Sequence, residues 1–220
     1  MKRLMLNRVL AALALCAAVA LPAQATIVDF EDVEPDFFSA ASISSGGFSF
    51  ASSGAGFSGI DSSAAFAFPP ANSTGQFLYA LNADVVTMTL GGGAFRLLGF
   101  DMSFVAPQVP VSPGLSAGML HVEATTVGGG VVTDDFDFGL SDANGAWSFV
   151  SFATDALASG VTAVSFSACV YDGSGGCSFS DPFVQPQFAI DNINVPEPGT
   201  AALALAALGI LAARRRPQSL

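Results

Sequence analysis

The stretch from Phe95 to Val105, which reads Phe-Arg-Leu-Leu-Gly-Phe-Asp-Met-Ser-Phe-Val, decides the fold class. Its second half places Phe100, Met102 and Phe104 at alternate positions, with polar residues between them. Successive side chains of a β-strand point to opposite faces, so this alternation predicts a strand with one buried face. We expect Gly99 to mark a β-bulge where the alternation begins.

The chain on both sides of this stretch repeats the pattern. Short apolar runs with period-two alternation are separated by clusters of glycine, proline, serine and asparagine, and no convincing helical period lies between the two ends. The other predicted strands are Ile27–Asp32, Gly47–Ala51, Gln76–Leu81, Val85–Leu90, Met119–Val127, Val131–Phe138, Trp147–Phe152, Val161–Val170 and Gln187–Val195. Ser52–Gly75 is rich in small residues and predicts a long loop, and the proline-rich Ala106–Gly118 predicts a connection.

This spacing of strands predicts an all-β fold, an antiparallel β-sandwich of the jelly-roll-like kind. The 20 phenylalanines suit such a core, because each ring can bury a large apolar area between two sheets. The predicted sandwich domain spans residues 26–195, which is long enough for one domain with its own core.

The N-terminal residues predict a helical signal peptide over residues 1–25. Lys2, Arg3 and Arg8 form a positive region, Val9–Leu21 is apolar, and Ala23-Gln24-Ala25 is a small-residue cleavage site. We therefore expect export through the secretion translocon and cleavage by signal peptidase after Ala25.

The C-terminal residues 196–220 show a second targeting pattern. Pro196, Glu197, Pro198 and Gly199 precede an uncharged run that ends at Ala213. At 1.5 Å per residue, a helix over this run is about 21 Å long, shorter than the roughly 30 Å hydrocarbon core of a bilayer. A short transmembrane helix followed by Arg214, Arg215 and Arg216 predicts transient anchoring in the inner membrane, with the arginines held inside.

This order of motif, apolar run and arginine cluster resembles the PEP-CTERM sorting signal of Gram-negative bacteria, which an exosortase recognises. The resemblance implies an exported protein, transiently anchored and then placed at the cell surface or outside the cell. It also implies association with exopolysaccharide in a biofilm. Gln187-Phe188-Ala189-Ile190-Asp191 resembles the Q-F-x-x-D variant that precedes the signal in one subgroup.

The charge of the predicted domain excludes several kinds of partner. Residues 26–195 hold seventeen acidic side chains against the single Arg96, a net charge of −16, and no lysine. Nucleic acid and anionic lipid surfaces are therefore poor partners on electrostatic grounds, and no nucleic-acid partner is predicted.

Cys169 and Cys177 are predicted to form a disulfide. They enclose a glycine-rich turn between two apparent strands, and export brings them into an oxidising compartment.

The carboxylates near the two ends of the domain predict a cation site. We expect the first and last strands to be neighbours or to lie on facing edges, because the termini of compact domains often lie close together. That arrangement would bring Asp191 close to Asp29, Glu31 and Asp32. Calcium, which binds six to eight oxygen ligands, is the cofactor this cluster suits, and no other cofactor is predicted. The alternatives are carboxylates that stand apart in water, or an Asp191 that accepts backbone hydrogen bonds.

The sequence favours a non-enzymatic protein. His121 shares a predicted strand face with Glu123, and Asp135 shares one with Asp137, but neither pair belongs to a recognisable catalytic motif. A carbohydrate-binding module is the alternative, and it would require two or three exposed aromatic side chains on one surface. A secreted hydrolase is the third hypothesis.

Overall fold

The computed structural model describes residues 25–73, 75–106, 114, 116–172, 174, 176–179 and 185–196. The strands within these residues are β1 (Ala25–Val28), β2 (Asp36–Phe38), β3 (Ser42–Ser45), β4 (Phe48–Ser52), β5 (Phe57–Ser62), β6 (Gln76–Leu81), β7 (Val86–Thr89), β8 (Gly99–Phe104), β9 (Gly118–Thr126), β10 (Val131–Asp137), β11 (Val150–Ala153), β12 (Val161–Tyr171), β13 (Cys177–Ser178) and β14 (Phe188–Pro196). Short 3₁₀ turns cover Ser63–Ala65 and Ala156–Ala158.

These strands form two sheets that face each other. The first sheet has the order β11-β8-β14-β6-β5-β2, with β1 also paired to β14, and the second has the order β10-β9-β12-β7-β4-β3, with β13 paired to β12. The chain crosses between the sheets repeatedly, since β7, β8 and β9 alternate between them, as do β10, β11 and β12. The fold is therefore an all-β, antiparallel sandwich of jelly-roll-like topology, as predicted.

The core lies between the sheets and is built from the alternating apolar faces. Phe100, Met102 and Phe104 are buried, as the opening stretch predicts, and Phe166 from the second sheet meets Phe100 edge-on at 5.7 Å between ring centroids. Truncating a fully buried phenylalanine such as Phe166 to alanine costs about 3–5 kcal/mol, because the loss of transfer free energy is compounded by a cavity.

The first and last strands are neighbours, which confirms the prediction about the termini. β1 pairs with β14, and β14 also lies between β8 and β6. Residues Thr26–Pro196 form one compact unit.

The predicted loop over Ser52–Gly75 is wrong, because it contains β5. Ser58 faces inward and is fully buried, and its hydroxyl donates to Asp84 Oδ2 at 2.6 Å. A polar residue on the inner face and Gly59 on the outer face hide the apolar alternation on which the prediction relied. The strands β2 and β3 are not predicted either, because three and four residues are too few to show an alternating pattern.

The β-bulge lies in β14, opposite Gly99 of β8, where it was predicted. The register between β14 and β8 shifts between the pairs Asp191–Asp101 and Asn194–Gly99, so the extra residue belongs to β14. Asn192 in this interval has a φ of +48°, which is left-handed backbone. Gly99 is needed opposite the bulge for another reason: a Cβ there would collide with the Phe152 carbonyl oxygen of β11.

Candidate functional site: an aromatic groove on the first sheet

An open groove of about 550 Å³ lies on the outer face of the first sheet, at β2, β5 and β6. We call it the aromatic groove; its lining residues are Phe37, Phe38, Ser39, Gly56, Phe57 and Tyr79. The sheet register sets Phe37 opposite Gly59, and Gly59 opposite Tyr79, so these positions form one row across three strands.

Gly59 shapes this row because it has no side chain. A Cβ added there would collide with the Tyr79 hydroxyl and with the Asp36 carbonyl oxygen. The Tyr79 side chain therefore lies across β5 and occupies the space that a side chain at position 59 would fill. Because Gly59 has no side chain, the phenol ring of Tyr79 extends along the sheet surface toward Phe37.

The aromatic side chains of the groove are open to solvent to an unusual degree. Phe37 is 72% exposed and Phe57 is 36% exposed, while Tyr79 is half-buried. Phe66 supports Tyr79 from the side, in an edge-on contact with 5.1 Å between ring centroids, and also stacks on Phe77 at 5.6 Å. Exposed apolar patches of this kind mark binding surfaces.

The ends of β2 and β5 are tied together beneath the groove. The Ser39 hydroxyl donates to the Gly56 carbonyl oxygen at 2.8 Å. Gly56 itself approaches the next strand closely, since a Cβ there would collide with the Leu81 carbonyl oxygen. The groove floor is therefore set by backbone contacts and does not depend on flexible side chains.

Two carboxylates lie near the aromatic row. Asp61 is two residues beyond Gly59 on β5 and shares its outer face, whereas Asp36 on β2 pairs with the buried Ile60 and so belongs to the opposite face of the edge strand. Burial raises the pKa of Tyr79, and the negative charges of Asp61 and Asp36 raise that pKa further, in that order. Both carboxylates therefore act electrostatically on the groove.

The carboxylates predicted to share calcium are not brought together as one site. Asp32 accepts from the Ser45 hydroxyl at 2.5 Å and from Gly46 N at 3.0 Å, which hold its pKa below the usual value. Glu31 Oε1 accepts from Gln76 N at 2.7 Å, and Asp29 Oδ1 accepts from Glu31 N at 3.3 Å. Each has its own partner, because β1 ends at Val28 and the acidic residues follow in a turn.

Asp191 is buried, with only 2% of its surface exposed. Its Oδ1 accepts from Asn192 N at 2.7 Å, and the Asn192 amide nitrogen also donates to Asp101 Oδ2 at 2.8 Å. Burial raises the pKa of Asp191 to about 7, with smaller contributions from Asp101, Asp29 and Glu31. The described residues hold no group of three or more histidine, cysteine or acidic side chains placed to share a metal ion.

The outer face of the second sheet carries the single histidine. His121 Nδ1 lies 2.6 Å from Asp135 Oδ1 on β10, and the Phe179 ring meets the imidazole edge-on at 5.6 Å. The Tyr171 hydroxyl donates to Asp137 Oδ2 at 2.5 Å, and this hydrogen bond raises the pKa of Tyr171 to about 12.

The disulfide joins Cys169 of β12 to Cys177 of β13, with 5.5 Å between the Cα atoms. Of the sorting-motif residues, Pro196 ends β14. The others, Glu197, Pro198, Gly199, Arg214, Arg215 and Arg216, lie outside the described residues, as does the predicted signal peptide. Where the structure is described, no helix is long and apolar enough to cross a membrane.

The sequence does not predict the aromatic groove, because most of its residues lie outside the predicted strands. Phe37 lies in a stretch to which no element is assigned, and Phe57 lies in the predicted loop Ser52–Gly75. The pairing of Gly59 with Tyr79 across two strands is a long-range relation that no local pattern carries. Only Tyr79, on the correctly predicted β6, was available as a candidate.

Comparison with solved structures gives distant likenesses in fold. A TmCBM61 structure in complex with β-1,4-galactotriose is 9% identical, with 67% of this chain and 86% of that chain covered and a TM-score of 0.34. The Clostridium thermocellum Xyn10B CBM22-1–GH10 modules complexed with xylohexaose are 10% identical, with 80% and 29% covered and a TM-score of 0.36. The enzymatically active domain of bacteriophage CBA120 tailspike protein 4 is 12% identical, with 68% and 19% covered and a TM-score of 0.32. These likenesses carry no conclusion about function.

No curated protein matches the chain. The family model of the PEP-CTERM protein-sorting motif matches residues 194–216, a segment that begins inside β14. The motif indicates export, processing by an exosortase and membrane anchoring by a C-terminal tail in Gram-negative bacteria. The Q-F-x-x-D subtype stays a prediction. The chain therefore carries, at residues 194–216, the sorting motif that defines PEP-CTERM proteins.

Proposed function

We propose that this PEP-CTERM protein is a non-enzymatic, polysaccharide-binding protein of the extracellular matrix, with the aromatic groove as its sugar-binding surface. The observation that carries the proposal is the set of aromatic side chains that line one groove, the exposed Phe37 and Phe57 and the half-buried Tyr79. Pyranose rings present flat faces of C–H groups, and these faces lose little hydration when they stack on aromatic rings.

The size and surroundings of the groove fit a saccharide. A volume of about 550 Å³ lies within the range of small-molecule sites and would take a short run of sugar units. The Tyr79 hydroxyl and the Ser39 side chain supply polar groups at an otherwise apolar surface, which suits a ligand with hydroxyl groups around its edge. The groove is open, so a long chain can lie along it and extend beyond it.

Export supports the same proposal. The sorting motif indicates export, which would bring the domain into contact with polysaccharide outside the cell. After targeting segments are removed, the domain keeps its charge of −16 and so repels nucleic acids released into the matrix.

The test is a binding screen of the processed protein, recovered from an exosortase-competent host, against soluble polysaccharides including the host's own exopolysaccharide. We expect binding to at least one polysaccharide, and we expect Phe57→Ala to weaken it at least tenfold, as for an interface hot spot. The matched control is Phe179→Ala, which removes an exposed phenylalanine from the other sheet. An equal loss of binding in Phe57→Ala and Phe179→Ala would contradict the proposal. Failure of the processed protein to bind any of the polysaccharides would contradict it as well.

A further inference from the structure

The flanks of the aromatic groove carry charges of one sign. Asp61 lies on the outer face of β5, opposite Phe77 in the sheet register and two residues from Gly59, which pairs with Tyr79. Asp36 begins the edge strand β2 and pairs with Ile60, so its side chain starts from the other face of the sheet. The negative charges of both raise the pKa of Tyr79. The only lysine or arginine in residues 26–195 is Arg96, and its Nε donates to the Ala158 carbonyl oxygen, outside the groove lining.

Each of the two carboxylates has capacity left for a ligand. Asp36 Oδ1 accepts from Phe37 N at 2.8 Å, and Asp61 Oδ1 accepts from Ser62 N at 2.7 Å. These local bonds fix the carboxylate orientation. Among the described residues, no donor reaches the second oxygen of either group, so both second oxygens can accept from a bound molecule.

An aromatic surface next to unpaired carboxylates favours cations over neutral molecules. Ammonium groups are attracted to the faces of aromatic rings and to carboxylates, and both attractions act here on the same ligand. A polyanionic sugar chain would be repelled by the two carboxylates and by the charge of the whole domain.

We propose that the groove selects polysaccharides with free amino groups, such as chains of partly deacetylated amino sugars. The sugar rings stack on Phe37, Phe57 and Tyr79, a protonated amine pairs with Asp61, and the charge of Asp36 adds to the attraction from a greater distance. This inference rests on the proposed sugar-binding function and adds the chemical class of the sugar.

The experiment compares four oligosaccharides of equal length by calorimetry with the processed protein, below neutral pH so that the amines are protonated. The probes are a glucosamine oligomer, its N-acetylated form, a neutral glucose oligomer and a uronic acid oligomer. We expect the glucosamine oligomer to bind best and the uronic acid oligomer to bind worst. High salt should reduce the preference for glucosamine, because screening acts on charge pairs near the surface and not on ring stacking.

Four variants separate charge from stacking. Asp61→Asn should lower the affinity for the glucosamine oligomer about two- to fivefold, and Asp36→Asn should lower it less. Both should leave the affinity for the acetylated oligomer unchanged. Phe57→Ala should weaken the binding of both oligomers. Asp155→Asn, at an exposed carboxylate on the Ala156–Ala158 turn, is the control for attraction by the domain's total charge.

The outcomes distinguish the two proposals. Equal affinity for the glucosamine and acetylated oligomers, lost in Phe57→Ala, overturns the amino-sugar inference and leaves sugar binding intact. An equal loss in Asp155→Asn and Asp61→Asn shows general charge attraction and also overturns the inference. Absence of binding to all four oligomers and to the host polysaccharide overturns both.

Discussion

Asp191 is a single residue whose protonation is coupled to folding. Its carboxyl is buried beside Asp101, and its pKa in the folded protein is about 7, against 3.8 for an exposed aspartate. Between these two values the folded state binds more protons than the unfolded state. The contribution of Asp191 to the free energy of unfolding is therefore greatest below about pH 4. It decreases as the pH rises to about 7 and remains at its lowest value above that pH.

We predict that Asp191→Asn stabilises the protein at alkaline pH and not at pH 4. Asparagine keeps an oxygen that can accept from Asn192 N, and it removes the buried charge. Urea unfolding of the variant and the wild type across this pH range measures the difference in stability, which should grow between pH 4 and 7. Asp155→Asn, at an exposed site, should show no such growth, and a flat difference for Asp191→Asn would contradict the assignment.

Asp84 is also a buried carboxylate, but its pKa is lowered in the folded protein, whereas that of Asp191 is raised. It is 1% exposed and accepts from the hydroxyls of Ser52, Ser58 and Ser53 at 2.6, 2.6 and 2.7 Å. Burial raises its pKa, but these hydroxyl groups and Val85 N outweigh burial and leave the pKa below the usual value. Its contribution to stability is present above the pKa of the unfolded state and is lost as the pH falls through the folded-state value.

We predict that Asp84→Ala lowers the free energy of unfolding at neutral pH by about 2–4 kcal/mol, because it leaves buried serine hydroxyls without an acceptor. Thermal or urea unfolding measures the loss. The paired change Ser52→Ala and Ser58→Ala on the Asp84→Ala background should cost little more, since the partners are already lost. A fully additive result would show that the serines and Asp84 act independently.

At the level of elements, the β12–β13 hairpin is held by its disulfide. Cys169 is buried in β12, β13 is only two residues long, and the two cysteines are eight positions apart. We predict that the double variant Cys169→Ala, Cys177→Ser lowers the free energy of unfolding by about 2–3 kcal/mol.

Reductant provides the control for this prediction. Wild-type protein in reductant should unfold at the same urea concentration as the double variant without reductant, and the stability of the variant should not respond to reductant. A wild-type protein whose stability is unchanged by full reduction would contradict a stabilising role for the bridge.

The elements also show which structural features sequence alone can predict. β6, β9, β10 and β12 were predicted nearly to the residue, because apolar and polar side chains alternate along them and one face meets the core. β5 was lost because its inward Ser58 is satisfied by Asp84, which lies 26 positions along the chain. That contact, like the support of Tyr79 by Gly59, depends on the fold and leaves no local pattern. The aromatic groove therefore emerges only when β2, β5 and β6 are placed side by side.

At the scale of the whole molecule, charge dominates. With a net charge of −16 in residues 26–195, the folded domain repels itself. We predict that the thermal midpoint of the processed protein rises with sodium chloride between about 0.02 and 0.3 M, where the screening length falls below the dimensions of the domain. Scanning calorimetry measures the rise in the thermal midpoint. A midpoint that is independent of salt concentration would show that repulsion between the carboxylates does not destabilise the folded domain.

Processing gives a second prediction at this scale. Mass spectrometry of protein recovered from the surface or medium of an exosortase-competent host should show a first residue of Thr26 and a C-terminus that lacks Arg214, Arg215 and Arg216. A host without the exosortase supplies the control, where the arginines should remain. Recovery of chains ending at Leu220 from the competent host would contradict the expected processing.

β14 is the strand that enters the sorting motif, and this gives the fold a mechanical property. Any pull on the chain beyond Pro196 acts first on a strand that is hydrogen-bonded to β8 on one side and β6 on the other, with β1 paired to it as well. A force along β14 would have to shear these ladders together, whereas an edge strand could be peeled away one bond at a time. A protein tethered through residue 196 in flowing water would therefore transmit drag into the middle of its sheet, where the sandwich resists rupture best.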